Sequence, residues 1–180
     1  MLKMFKYRLY PTRQQQRLLD QQLEECRWLY NQLLAERRDA WEQRQESLRY
    51  YDQAMSLPML KAERPALAGV HSQVVQNVAV RIDLAFKAFF RRVKAGEKPG
   101  YPRFRGRGRY DSLTFPQVPV GCRVDAEDTR LRVANVGQVK ILLYRPSEGM
   151  PKTATLRRSS TGTWEVGFSC ECGELAPGVW

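Results

Sequence analysis

The chain has 180 residues, of which 43% are hydrophobic and 11% aromatic, enough for one large or two small cores and too much for a disordered segment. Its 30 basic residues outnumber 19 acids, giving a net charge of +11 and an isoelectric point near 9.8, which favours a polyanionic partner, nucleic acid before a membrane surface. No apolar run approaches the roughly 18 residues of a spanning helix, and Met1-Leu2-Lys3-Met4 leads into a strand-like segment, so no membrane partner and a cytoplasmic location are expected.

Lys3 to Tyr10 alternates, with Phe5, Tyr7 and Leu9 on one face, and predicts a half-buried β-strand. Pro11 closes it. Thr12 followed by Gln15 has the form of a capping box, and the stripe Leu19, Leu23, Cys26, Tyr30, Leu33 predicts an amphipathic helix to about Arg44. After an irregular Leu48 to Tyr51, Asp52 is expected to cap a short helix toward Leu60. Pro65 and Gly69 interrupt, and Val70, Val74, Asn77, Val78, Ile82, Ala85, Phe86, Phe89 and Val93 then form the apolar face of a third helix, with Gln73, Gln76, Arg81, Lys87 and Arg91 opposite. The three segments read as a helical bundle.

From Ser112 the period changes. Ser112–Val118, Arg123–Val124, Arg130–Val133, Val139–Tyr144, Thr153–Arg158 and Thr163–Cys170 are short β-rich runs separated by turn residues. They suggest a small barrel. The first strand has no local partner, so it is expected to join that barrel, with the helices inserted between strands one and two. The fold class is therefore α+β, a small antiparallel, wedge-like β-barrel at 1–10 and 99–172 with an inserted helical lobe at 11–98 and a tail at 173–180. From Glu171 onward no periodicity is evident.

Between the two halves lies GEKPGYPRFRGRGRYDSLTF, Gly96 to Phe115. Lys98, Arg103, Arg105, Arg107 and Arg109 have no acid among them, Gly100, Gly106 and Gly108 allow close backbone approach, and Tyr101, Phe104 and Tyr110 offer flat faces for bases. Composition alone leaves this stretch open between a solvated linker and a phosphate clamp.

Catalytic signals are sparse. Asp125, Glu127 and Asp128 cluster, but VDAEDTRL has the form of a hairpin turn, and no second acidic group completes a Mg²⁺ site. His71, the lone histidine, reads as an exposed or capping side chain. Cys26, Cys122, Cys170 and Cys172 lack the paired spacing of a zinc ribbon and read as reduced thiols.

Tyr7-Arg8-Leu9-Tyr10-Pro11, Ala85-Phe86 with Phe89-Phe90, and Gly100-Tyr101-Pro102-Arg103-Phe104-Arg105, with the strings around them and the closing WEVGFSCE, resemble the N-terminal region of the TnpB/OrfB proteins of insertion sequences. The resemblance extends over nearly the whole chain. It implies RNA-guided DNA endonucleases, relatives of type V CRISPR effectors, in which a wedge-like barrel and a helical recognition lobe hold guide RNA and read a short motif beside the DNA target. It also implies a following RuvC-like nuclease with an Asp-Glu-Asp metal site, and a zinc ribbon.

This sequence stops where the first catalytic Asp would fall. The expectation is a truncated, non-catalytic portion without cofactors of its own, Mg²⁺ and Zn²⁺ belonging to the missing C-terminal region. Its expected partners are guide RNA and double-stranded DNA, with a separate nuclease part conceivable, in the nucleoid of a prokaryote. Lys98, Arg103, Arg105, Arg107 and Arg109 would clamp phosphates. Tyr101 would stack on a base or ribose, while Phe104 reads either as a barrel plug or as a stacking face. Tyr51, Gln73, Gln76, Ser112 and Thr114, which the resemblance brings near the duplex, would read base edges, amides suiting adenine and hydroxyls either base. The alternative is a non-catalytic DNA-binding transposon accessory protein or repressor that works without RNA.

Overall fold

In the first strand, β1 (Leu2–Tyr10), Phe5, Tyr7 and Leu9 are buried and Met4, Lys6, Arg8 and Tyr10 exposed, the alternation that the sequence requires. A computed structural model describes residues 1–125, 127, 129–145 and 147–173 of the chain. The fold is α+β: three α-helices lie between the first and second strands of a nearly closed seven-stranded antiparallel barrel. Two compact units make up the chain, one formed by residues 1–19 and those from Asp111 onward, the other by Asp20–Tyr110.

The remaining strands are β2 (Ser112–Phe115), β3 (Cys122–Val124), β4 (Arg130–Val133), β5 (Gly137–Leu142), β6 (Met150–Arg158) and β7 (Trp164–Glu171). Their order is β2-β6-β7-β1-β5-β4-β3. The strand without a local partner is thus central, pairing with β7 from Leu2↔Glu171 to Leu9↔Trp164 and with β5 at Arg8↔Leu142 to Tyr10↔Lys140. Its inward side chains are buried, as are Leu113, Phe115, Leu131, Val139, Leu156 and Val166 on the other strands.

Strand ends depart from expectation where turn chemistry intervenes. β2 stops at Phe115 rather than Val118, because Pro116 has no N–H to donate to a ladder. Order continues past the point where periodicity is lost in the sequence: Glu171 belongs to β7, and Cys172 exchanges backbone hydrogen bonds with Met1 at 2.9 and 3.1 Å. Residues 174–180 lie outside the described part. The Asp125 carboxylate accepts the N–H groups of Thr129 and Arg130, which is the hairpin turn read from the sequence; Asp128 is outside the described residues.

The helices are α1 (Arg13–Arg44), α2 (Tyr50–Glu63) and α3 (Ser72–Lys94), with a 3₁₀ turn at Pro65–Gly69. The capping box forms as expected, Gln15 N–H donating to Thr12 Oγ1 and Thr12 N–H to Gln15 Oε1. α2 starts earlier than expected. Asp52 is its third residue, not its cap, and accepts the N–H of the Arg49 cap at 2.8 Å, so Tyr50 and Tyr51 form the first turn. His71 caps α3, its Nδ1 accepting from Gln73 N–H. The buried stripe of α3 also takes in Val75 and Ala79, while Asn77 and Phe89 are only half-buried and Val93 is exposed. The face is rotated toward α2.

A polar network crosses this bundle. Arg37 on α1 is only 7% exposed; its Nε donates to Gln53 Oε1 at 2.7 Å and its terminal nitrogen to Asp83 Oδ1 at 3.0 Å. Gln53 on α2, fully buried, donates in turn to the Leu33 carbonyl, and Lys87 bridges Asp83 at 2.9 Å. Burial acts most strongly on the Asp83 carboxyl, upward, but the Lys87 and Arg37 hydrogen bonds together hold it below the usual carboxylate range. A second tie joins Arg64, at the end of α2, to the buried Glu25 by two hydrogen bonds, with Arg64 stacked 4.6 Å above Trp28.

Breaking the network by Asp83→Ala leaves a buried guanidinium short of its carboxylate and is expected to cost about 3 kcal/mol, read from the urea midpoint at unchanged slope. All four cysteines are free and buried. Burial pushes the Cys26 and Cys122 thiols up to about 12 and raises the Tyr110 phenol as well. A raised pKa means the folded state holds its proton harder than the unfolded chain. The stabilisation is complete below the unfolded thiol value of about 8.5 and is lost as pH rises toward 12. The melting temperature should therefore fall across that window, and Cys26→Ala and Cys122→Ala should each flatten the fall by up to about 1.4 kcal/mol per pH unit.

Candidate nucleic-acid interface

The arginine-rich stretch leaves α3 through a Schellman close. Gly96 takes a φ of +70° that favours glycine, Glu97 N–H reaches the Arg92 carbonyl and Gly96 N–H that of Val93, so the chain turns sharply off the helix. Beyond it, Arg105 is held by main chain rather than side chain. Its N–H donates to Asn31 Oδ1 at 2.8 Å, and its carbonyl accepts from Asn31 Nδ2 at 3.0 Å and from an Arg27 terminal nitrogen at 3.1 Å. One amide side chain on α1 thus mimics a strand partner. Arg27 is itself held by Glu24, whose carboxyl is drawn below its ordinary value first by the Arg27 hydrogen bond.

This pinning fixes what the basic side chains do. The Arg105 guanidinium lies 5.2 Å above the Tyr30 ring, while Lys98, Arg103, Arg107 and Arg109 are exposed. A turn closed by Arg109 N–H on the Gly106 carbonyl separates the last two arginines.

The aromatic residues behave differently from one another. Tyr110 is 5% exposed beneath Arg81 and beside Tyr30, so its face is not open to a base. Phe104 does not plug the barrel: it belongs to the helical unit, 48% exposed, with the Arg38 guanidinium 5.1 Å above its ring. Tyr101 meets Phe86 and Phe89 edge-on at 5.6 and 5.3 Å while remaining 44% exposed.

Tyr51 and Gln76 come together. Both line a shallow pocket of about 350 Å³ between α2 and α3, with Tyr50, Lys61 and Ser72. Gln73, one turn earlier on α3, is half-buried against the His71 cap. Ser112 and Thr114 lie on β2 of the other unit; Ser112 is buried, and the Thr114 hydroxyl pairs with that of Thr155 at 3.1 Å.

Residues to which the sequence reading gave no place at the interface therefore build much of the candidate site: Asn31, Arg27 and Tyr30 under the loop, Tyr50 and Lys61 beside Tyr51. The one sequence signal for Asn31 is its place inside a 32-residue helix, where asparagine is a poor helix former and needs a tertiary reason.

A family profile described as a helix-turn-helix domain, of the OrfB IS605 group, matches residues 1–46. In this chain those residues form β1 and α1, a strand and one long helix. The chain is 28% identical over 178 residues, 98% of its length and 42% of the relative's, to an Escherichia coli K12 protein carrying the name RNA-guided DNA endonuclease InsQ. It is also 28% identical over 170 residues, 93% of its length and 41% of the relative's, to a Streptomyces pristinaespiralis protein named as an RNA-guided DNA endonuclease. It spans about two fifths of the length of these relatives. Both comparisons bear out the resemblance to the N-terminal region of the TnpB/OrfB proteins.

Asn31→Ala leaves the Arg105 N–H and carbonyl to water. Hydrogen exchange at the Arg105 amide should accelerate at least tenfold, on the order of the 1.4 kcal/mol that one such hydrogen bond supplies, while amides in the middle of α3 keep their protection.

Proposed function

We propose that this chain binds nucleic acid as the guide-RNA and target-motif binding part of a TnpB-type RNA-guided DNA endonuclease. The observation that carries the reading is the double hydrogen bond from Asn31 to the Arg105 backbone. It anchors a loop whose cationic side chains Lys98, Arg103, Arg107 and Arg109 stand in solvent, the arrangement a phosphate backbone needs.

In this reading the arginine loop clamps RNA or DNA phosphates, with Arg105 supporting it from its place on Tyr30. Tyr51, Gln73 and Gln76 contact base edges, amides offering adenine its paired donor and acceptor, and Lys61 beside them meets phosphate. Ser112 and Thr114 serve the same task only if β2 opens toward the duplex. Barrel residues act as the wedge and the helical segment as the recognition lobe. We assign cutting, with its Mg²⁺, and the zinc ribbon to the length of the relatives that this chain does not match. Such a protein works in the cytoplasm; among the described residues no helix is long and apolar enough to cross a membrane.

Binding of a structured RNA hairpin and of duplex DNA to the 180-residue chain, each titrated with salt, tests this. Log affinity should fall steeply with log salt for both. In Arg103→Ala/Arg107→Ala the slope should drop by about 0.7 to 0.9 per lost phosphate contact. An unchanged slope would put the clamp elsewhere, and binding to DNA alone would favour an accessory DNA-binding protein instead.

A further inference from the structure

Behind the arginine loop the helical unit holds a cleft of about 420 Å³, lined by Trp41, Leu48, Phe86, Phe90, Val93 and Tyr101. It is built from the last turns of α1, the segment after it and the last turns of α3. Large apolar side chains here are wet: Trp41 is 54% exposed and Phe90 51%. A lone exposed aromatic is ordinary, but several converging on one concavity mark a ligand site.

We propose that this cleft takes one unpaired nucleobase of the bound strand, an inference that rests on the nucleic-acid-binding reading and adds a specific subsite to it. Size, surface and charge point the same way. The volume suits a single flat ring system better than a helix face. Half of its lining residues are aromatic, and Phe86, Phe90 and Tyr101 belong to one ring cluster, with centroids 5.3 to 6.5 Å apart through Phe89. Arg37, at its edge, is buried and not presented to a phosphate: its donors are turned to Gln53 and Asp83 and its plane lies on Phe86. The cleft therefore recognises a ring face and not an anion.

The anion is met alongside. From Phe86 to Tyr110 the chain carries Lys87, Arg91, Arg92 and Lys94 in addition to the five basic residues of the loop, against the single acid Glu97. An apolar protein segment docking here would gain nothing from that concentration of charge, whereas a base delivered on a phosphate backbone requires it. The Ser47 hydroxyl and the Glu46 carboxylate at the rim supply hydrogen-bonding groups for a base edge. Bases inside a duplex have both faces covered by their neighbours, so the occupant comes from a single strand or a loop.

The test compares an oligoadenylate strand with the same strand carrying one central abasic site, as RNA and as DNA, by tryptophan fluorescence and affinity at fixed salt. The intact strand should bind about tenfold more tightly, as one stacked base is worth by alanine substitution, and should quench emission. Trp41→Ala and Phe90→Ala should each remove most of that preference and leave abasic-strand affinity and its salt slope unchanged; both positions are exposed, and the unchanged abasic binding checks the fold directly. Preference in both RNA and DNA assigns recognition to the base, and preference in RNA alone adds the ribose; either supports the cleft. Equal affinity of intact and abasic strands with a normal salt slope overturns this inference alone. Failure of every strand to bind overturns the binding reading and this inference with it.

Discussion

The helical unit depends on a charge that its packing would otherwise forbid. Arg37 sits among the apolar residues of three helices, and it is tolerable only because Gln53 and Asp83 accept from it and Phe86 lies under its plane. Those partners come from α2 and α3, so one side chain of α1 fixes the register of both. An apolar core of Leu, Val and Ile accepts many rotations about a helix axis; a planar guanidinium with directed donors accepts few. The same contact reaches the candidate interface, since Phe86 is a ring against which Tyr101, near the start of the arginine loop, is packed.

Much of this was legible in the sequence, because it rests on periodicity. The alternation of Lys3 to Tyr10 and its lack of a local partner sufficed to put that strand in the barrel with the helices inserted, and the four- and three-residue spacing of α1 named its buried stripe. What was not legible has physical reasons. Arg37 and Gln53 carried no signal of burial, since nothing in one sequence tells a buried, paired arginine from a wet one. Asp52 had the chemistry of a cap but acts from the third helical position, where a carboxylate serves the same free N–H groups. Tyr101, Phe104 and Tyr110 all offered flat faces by composition, yet one forms a cleft wall, one lies under Arg38 and one is buried. Composition fixes which rings are available, whereas tertiary packing decides which faces remain.

The arginine loop shows how weak a composition argument is until geometry joins it. Five basic residues in a glycine-rich stretch are compatible with a mobile linker, and in a linker each phosphate contact would have to offset the entropy of ordering the chain. The Schellman close at Gly96 and the Asn31 clasp at Arg105 hold the loop at two points before any ligand arrives. That ordering cost is then met in folding. The exposed guanidiniums retain their own rotamer freedom, which suits contacts that need charge and not fixed direction.

The region matched by the helix-turn-helix profile sharpens where contact and support are divided. Residues 1–46 contain Arg27, Tyr30, Asn31, Arg37 and Trp41, yet none of the loop cations. Here that region is a strand followed by a single uninterrupted helix, and in the proposed reading its contribution lies on that helix's surface. Asn31 and Arg27 clasp the loop, Tyr30 seats Arg105, and Trp41, three turns further along, lines the cleft offered to a base. A 32-residue helix rises about 1.5 Å per residue, so α1 carries these groups along one rigid rod. In the proposed reading, phosphate contact and base contact are therefore spaced by the geometry of that helix.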